Sequence, residues 1–187
     1  MSDRQPRLPL LVLISGNPSA EKSTLARQLA AEGALWLPLV ACDPLRNGIR
    51  TTLTARDELP AARPGKEAVD LFYDAIAFLL ARDVSLIAEL SLRRGLDEVP
   101  VSSLMSRCRI RNVHCVVDTT IAQQRFLERQ ATRGVVAGVS PIATSMREGT
   151  FDWSVFAPLD LPLSRLLIDT NDGYAPSFDA IVAFCCQ

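Results

Sequence analysis

Leu8 to Ala30 reads LPLLVLISGNPSAEKSTLARQLA, and the rest of the chain is arranged around this stretch. Leu10 to Ile14 is a short apolar run, bounded by Pro9 and by Ser15-Gly16-Asn17-Pro18, which predicts a buried strand. Leu25, Leu29 and the alanines between them recur at helical spacing, so a helix is expected from about Lys22. Between strand and helix lie Gly16, Asn17, Pro18, Ser19, Ala20, Glu21, Lys22, Ser23 and Thr24, close to the phosphate-binding pattern G-x-x-x-x-G-K-[ST] in its strand–loop–helix setting. The backbone N–H groups of such a loop curl around a phosphate, and the helix N-terminus adds partial positive charge. Lys22 would then reach the β- and γ-phosphates, and the Ser23 hydroxyl would ligate Mg²⁺. Glu21 departs from the pattern by standing where the second glycine belongs. The plainer alternative is a glycine turn followed by surface polar residues.

The chain has 187 residues, a size that suits one domain with a substantial core. A hydrophobic content of 48% with 22% charged residues fits a globular α/β protein. A net charge of −1 argues against a bulk electrostatic grip on nucleic acid, though not against a local basic site. The cysteines are Cys42, Cys108, Cys115, Cys185 and Cys186, without a C-x-x-C pair, and His114 is the single histidine. This speaks against a zinc site and for reduced thiols in the cytoplasm. Cys42 beside Asp43 is either a nucleophile or, more simply, a buried strand-end thiol. No apolar run approaches a membrane span, and the one after Arg4 and Arg7 reads as a first strand, not a leader.

Further along, Leu35–Ala41 is a second apolar run in which Pro38 moves the strand start to Leu39 or marks an edge strand. Asp43 then reads as an N-cap with Pro44 at the first helical position, in a helix running to about Leu53. Residues 55–66 read as a polar loop, and 67–82 as an amphipathic helix. A third strand, 84–88, ends at Glu89. A partly helical crossover covers 96–107, and a fourth strand, 110–117, ends at Asp118. Thr120 is expected to cap a helix reaching Arg133, with Gly134 and Gly138 as a joint before a helix at 140–148. A fifth strand at 166–168 ends at Asp169, and a helix at 177–186 follows. Strands alternating with helices imply an α/β three-layer sandwich: a five-stranded parallel sheet with helices on both faces. Ligands bind such sheets at the strands' carboxyl ends, where Asp43, Glu89, Asp118 and Asp169 fall.

With these pieces in place, the chain resembles small P-loop kinases, the group that includes polynucleotide 5′-kinases, zeta-toxin-like kinases and chloramphenicol phosphotransferase. The resemblance runs through GNPSAEKST (16–24), ACDPLRNGIR (41–50), LIAELSLRRG (86–95), RFLERQATR (125–133) and LLIDTND (166–172). It implies a P-loop NTPase-like, AAA-type ATP-binding domain spanning residues 1–187, with a mobile lid around 125–140. It also implies Asp43 as the general base toward an acceptor hydroxyl, and Arg46, with Arg50 one turn on, as the acceptor's anionic anchor. Glu89 would order Mg²⁺ together with Ser23, while Arg125 and Arg129, with Arg133 in the same repeat, would close over the transferring phosphates. Each role has a plainer counterpart: a helix cap for Asp43, a solvated helix face for the arginines, a strand-end cap for Glu89.

Two functions are therefore carried forward. One is an ATP- and Mg²⁺-dependent kinase acting on a hydroxyl of a small molecule or of a nucleic-acid end, with Lys22, Asp43, Arg125 and Arg129 as its catalytic residues. The other is a catalytically impaired nucleotide-binding or protein-interaction module of the same fold, which Glu21 favours. The acceptor pocket is expected among residues 43–60 and 90–100.

Overall fold

The computed structural model describes residues 8–31, 34–54, 63–132 and 141–187. Strands β1 (Leu10–Gly16), β2 (Leu39–Ala41), β3 (Leu86–Glu89), β4 (Arg109–Val116) and β5 (Ser164–Asp169) form one all-parallel sheet in the order β2-β3-β1-β4-β5. The helices are α1 (Lys22–Ala31), α2 (Cys42–Thr54), α3 (Arg63–Leu80), α4 (Glu98–Leu104), α5 (Thr119–Thr132), α6 (Pro141–Arg147) and α7 (Phe178–Cys186), and a 3-10 turn covers Ser154–Phe156. This is the P-loop NTPase-like α/β architecture expected from the sequence.

Strand β1 shows why its apolar run is unbroken. Leu11 and Leu13 enter a core with Phe72 and Ile76 of α3 and Val101 and Leu104 of α4. Val12 and Ile14 enter a second core with Leu25 and Leu29 of α1 and Ile181 of α7. Successive side chains of a strand point to opposite faces, so a strand covered on both sides must be apolar at every position. Each such side chain contributes about 1.5–3 kcal/mol on burial. Register brings Ile14 beside Glu89 of β3, and Gly16 beside Cys115 of β4.

Several boundaries differ from the sequence reading for local reasons. Strand β2 runs straight into α2, whose first residue is Cys42, so Asp43 lies in the first helical turn and is not its N-cap. Helix α3 begins at Arg63, because Pro64 fits the first turn of a helix, and it ends at Leu80. Asp83 (φ 59°) reverses the chain after α3, with Val84 N donating to Leu79 O, which delays β3 to Leu86. Asp118, not Thr120, caps α5, accepting from Thr120 N at 2.8 Å. Strand β5 is longer than expected, and the crossover helix is confined to α4. Gly134 and Gly138, the expected joint, lie outside the described residues.

Cys42, Cys108, Cys115 and Cys185 are buried, Cys186 is exposed, and none is in a disulfide. Among the described residues no helix is long and apolar enough to cross a membrane.

Gly16 closes β1 at φ 126°, and a Cβ placed there would meet the Cys115 carbonyl oxygen at 1.9 Å. The conformation and the space both require glycine. Gly16→Ala must push β4 away from the loop. We expect a loss of about 3 kcal/mol from overpacking and backbone strain together. Urea unfolding checks this, and an unchanged midpoint would mean that the approach of the two strands is not a constraint.

Candidate active site

The loop after β1 curls because its backbone visits the left-handed region repeatedly, at Gly16, at Ser19 (φ 65°) and at Glu21 (φ 53°). Ala20 N closes a turn on Asn17 O at 3.2 Å. The Lys22 ammonium folds back over that turn and donates to Asn17 O at 2.6 Å. Inside the curl the Ser19 hydroxyl is buried with no hydrogen-bond partner, a group that normally finds one. Glu21 is strained in its backbone and satisfied at its side chain. A left-handed conformation costs a residue with a Cβ roughly 1–2 kcal/mol. Its carboxylate also stays over the first turn of α1, where it accepts from the Thr24 hydroxyl at 2.9 Å.

The Ser23 hydroxyl donates to Glu89 Oε2 at 3.2 Å. Glu89 ends β3 and is buried, and burial holds its carboxyl above the usual carboxylate range while the Lys22 charge opposes that rise. Burial likewise pushes the Lys22 ammonium below its ordinary value, partly offset by Glu89. The two therefore temper each other's desolvation through space.

Asp43 and Arg46 lie one helical turn apart at the start of α2. Arg46 Nη1 donates to Asp43 Oδ1 at 2.5 Å, with Asp43 64% exposed, and Arg46 Nη2 reaches Cys42 Sγ at 3.7 Å. The Cys42 thiol itself is buried, and burial pushes its pKa up, so it behaves as a packing thiol.

Lys22, Ser23, Asp43, Arg46, Glu89 and Arg129 all line one cleft of about 1710 Å³. Arg125 is not on its wall. Its guanidinium spans the end of β5, donating to Thr170 O at 2.9 Å and Asn171 O at 2.8 Å, and so ties α5 to that loop. The four-residue repeat put both arginines on one helix face, but neighbouring carbonyls capture the first. Arg50 lies in α2 with its side chain outside the described set, and Arg133 lies outside the described residues altogether. Asp118 and Asp169 serve turns, Asp118 at the start of α5 and Asp169 through Asn171 N at 2.8 Å.

Sequence reading missed the far side of the cleft. Tyr73 of α3 donates to Asp97 Oδ1 at 3.0 Å, and Arg93 N donates to Asp97 Oδ2 at 2.6 Å. Burial beside Asp97 pushes the Tyr73 phenol well above its ordinary value, so it stays protonated. Phe151 and Phe156, stacked with centroids 5.9 Å apart, also line the cleft. Arg93 and Asp97 fall within the expected 90–100 pocket segment, whereas Tyr73, Phe151 and Phe156 gave no signal in the sequence.

A buried polar network underlies the loop. Ser15 Oγ pairs with His114 Nδ1 at 3.0 Å, and Asn112 Nδ2 donates to Leu13 O and to Ser15 Oγ, each at 2.9 Å. Arg165 Nε completes it by donating to Asn112 Oδ1 at 3.0 Å. No group of three or more His, Cys, Asp or Glu side chains that could hold a metal ion occurs among the described residues.

Comparisons with known proteins agree with this geometry at the level of fold. No family model matches the chain, and neither does any curated protein. Solved structures do. A candidate kinase from Chloroflexus aurantiacus J-10-fl is similar with 26% identity and a TM-score of 0.79, over 98% of this chain and 97% of that one. A sugar kinase from Janibacter sp. HTCC2649 matches with 12% identity and a TM-score of 0.61, over 94% of each chain. A gluconokinase from Sinorhizobium meliloti 1021 matches with 14% identity and a TM-score of 0.57, over 96% of this chain and 93% of that one. These relatives are P-loop kinase-like, the group whose motifs the sequence resembles.

Burial and the nearby Arg165 and Lys22 charges push the His114 pKa from 6.5 down to about 4. Between those values the unfolded chain binds a proton at His114 that the folded chain refuses. Stability therefore falls as pH drops through this window, by about 3 kcal/mol once it is crossed. Urea unfolding of the parent and of His114→Gln at neutral pH and at pH near 4 checks this: the variant should lose most of the difference, and an equal pH dependence in both would refute it.

Proposed function

We propose that the chain is an ATP-dependent kinase that transfers the γ-phosphoryl group to a hydroxyl of a small molecule or of a nucleic-acid end. The observation that carries this reading is the curled loop, which holds a buried, partnerless Ser19 hydroxyl and a buried Lys22. A phosphate oxygen is the partner such a hydroxyl lacks. The donor set also suits Mg²⁺, because Ser23 and Glu89 offer two oxygens 3.2 Å apart at the edge of the same loop. When bound there, Mg²⁺ supplies charge neutralisation at the phosphate oxygens.

The remaining roles belong to the chain's own side chains. Asp43 takes the proton of the acceptor hydroxyl as the acceptor oxygen bonds to the γ-phosphorus. The bond from that phosphorus to the β–γ bridging oxygen breaks, and ADP leaves. Arg46, held on Asp43, aims the carboxylate and meets charge on the acceptor. Lys22 and Arg129 stabilise charge on the transferring group, which their place on the cleft wall supports. Arg125 anchors the helix that carries Arg129. Residues 1–187 act as one domain; of the lid expected at 125–140, residues 133–140 lie outside the described residues.

Two substitutions separate these roles. Lys22→Ala should abolish phosphoryl transfer, and a parent-like rate would remove the site assignment. Asp43→Asn should lower turnover by roughly 10²-fold or more with ATP affinity nearly intact, the scale of general-base loss. Equal losses in ATP binding and turnover would mean that Asp43 only supports the helix.

The second reading, an impaired nucleotide-binding module, rests on Glu21, whose φ of 53° is one glycine would adopt without strain. Calorimetry of Mg·ATP binding to the parent, Glu21→Gln and Glu21→Gly distinguishes the two. Gln removes only the charge, and Gly also removes the strain. We expect affinity to rise in that order, by roughly tenfold overall for about 1.4 kcal/mol of relieved backbone cost. Absence of binding in all three would remove the kinase reading and leave the protein-interaction form of the second.

A further inference from the structure

Four polar side chains cross the sheet beneath the phosphate loop: Arg165 on β5, Asn112 and His114 on β4, and Ser15 on β1. The last three are each at most 2% exposed. The chemistry of the outer partners fixes every proton between them. A guanidinium only donates, so the atom of Asn112 that meets Arg165 Nε at 3.0 Å is Oδ1. A carbonyl only accepts, so the atom that meets Leu13 O at 2.9 Å is Nδ2. The same Nδ2 gives its second hydrogen to Ser15 Oγ at 2.9 Å. Ser15 then has one proton to place and one remaining partner, His114 Nδ1 at 3.0 Å. Directed onto Nδ1 that proton is satisfied, and directed elsewhere it is orphaned in a buried site. The imidazole is therefore neutral, with its own hydrogen on Nε2. The donors run one way, from Arg165 to Asn112 to Ser15 to His114. Burial, then the charges of Arg165, Lys22 and Arg94 that face the ring, keep it in that form.

Stability alone does not call for this chain of donors. In the core on the other face of the same strands, Val12, Ile14, Val113 and Cys115 pack with apolar side chains. Replacing both partners of a buried hydrogen bond by apolar groups is close to neutral in free energy. What a fully satisfied polar chain adds is a single allowed geometry. Its last two members stand where that geometry matters. Ser15 pairs with His114 and Gly16 with Cys115 in the ladder, and the loop leaves the sheet at the next residue. At the other end, Arg165 Nη2 donates to Leu159 O at 2.8 Å. The chain of donors thus starts from the segment that follows Phe156 of the cleft wall.

We infer that Ser15, held between Asn112 and His114, is a positioning residue of the phosphate loop: it fixes the point where the loop leaves β1 and so orders the loop before a nucleotide arrives. This deepens the kinase reading and rests on it for the nucleotide, while order in the empty loop is read without one.

His114 is the single histidine of the chain, so NMR with histidine-selective isotope labelling reads one residue. At neutral pH it should show a neutral ring with its hydrogen on Nε2. A hydrogen on Nδ1 would overturn the donor order and the inference with it. The Ala20 amide, which closes the loop on Asn17 O, reports loop order by hydrogen exchange, and the Val12 and Ile14 amides report the strand. Ser15→Ala breaks the chain of donors in the middle, and Ser15→Ala combined with His114→Leu removes both partners together. In both variants, exchange at Ala20 should rise at least tenfold more than exchange at Val12 and Ile14. Calorimetry should show Mg·ATP binding weakened about tenfold, the scale of one lost buried hydrogen bond. The inference is overturned if exchange at Ala20 is unchanged, or rises only as much as in the strand, which is what a merely structural role predicts. It is equally overturned if the parent binds Mg·ATP and both variants bind it as tightly. If the parent binds no Mg·ATP, the kinase reading falls, and the exchange comparison alone decides the positioning role.

Discussion

Everything at this site depends on how closely two strands approach. Gly16 ends β1 against the Cys115 carbonyl, with a Cβ-equivalent distance of 1.9 Å, and the chain turns there into the loop. A side chain would force β1 and β4 apart at the point where the loop must leave the sheet. The polar network just below depends on the same approach, because Ser15, Asn112 and His114 can share hydrogen bonds only while the strands keep their register. Loop geometry, buried network and central strand pairing are thus a single packing arrangement.

On that arrangement the chain mounts groups that would be costly elsewhere. A buried lysine and a buried glutamate sit near each other, each shifted toward its neutral form by burial and drawn back by the other. Two residues with Cβ atoms hold left-handed backbone within three positions, Ser19 and Glu21. Strain and unsatisfied hydrogen-bonding capacity of this kind persist where the surrounding structure over-determines them, and they concentrate at functional sites. Here the rigid layers above and below β1 do the over-determining.

Much of this was legible in the sequence wherever the cause is local. The apolar run Leu10–Ile14, the loop and the helix after it are contiguous, so pattern alone located them. Glu89 could be found because a strand's end is marked by the end of its apolar run. What failed to show was tertiary. Nothing in the helical pattern singles out Tyr73, whose hydroxyl meets Asp97 24 residues further on. Phe151 and Phe156 fall in a segment without periodicity. Arg125 shares a helical repeat with Arg129, yet the carbonyls of Thr170 and Asn171 that claim it are 45 and 46 residues away. The start of α2 was misjudged by two residues, Pro44 for Cys42, because β2 enters the helix with no loop between them.

The order of the strands also bears on how the protein is made. Gly16 pairs with Cys115, so the loop's anchor lies 99 residues downstream of the loop itself. A ribosome adds about 5–20 residues per second, which separates the two by roughly 5–20 seconds. During that interval the apolar β1 segment has emerged without the strand that seats it, and β3, its other neighbour, also follows far behind. The most hydrophobic stretch of the nascent chain is therefore the one that waits longest for partners. It is the segment on which a chaperone that shields extended apolar peptides would act first.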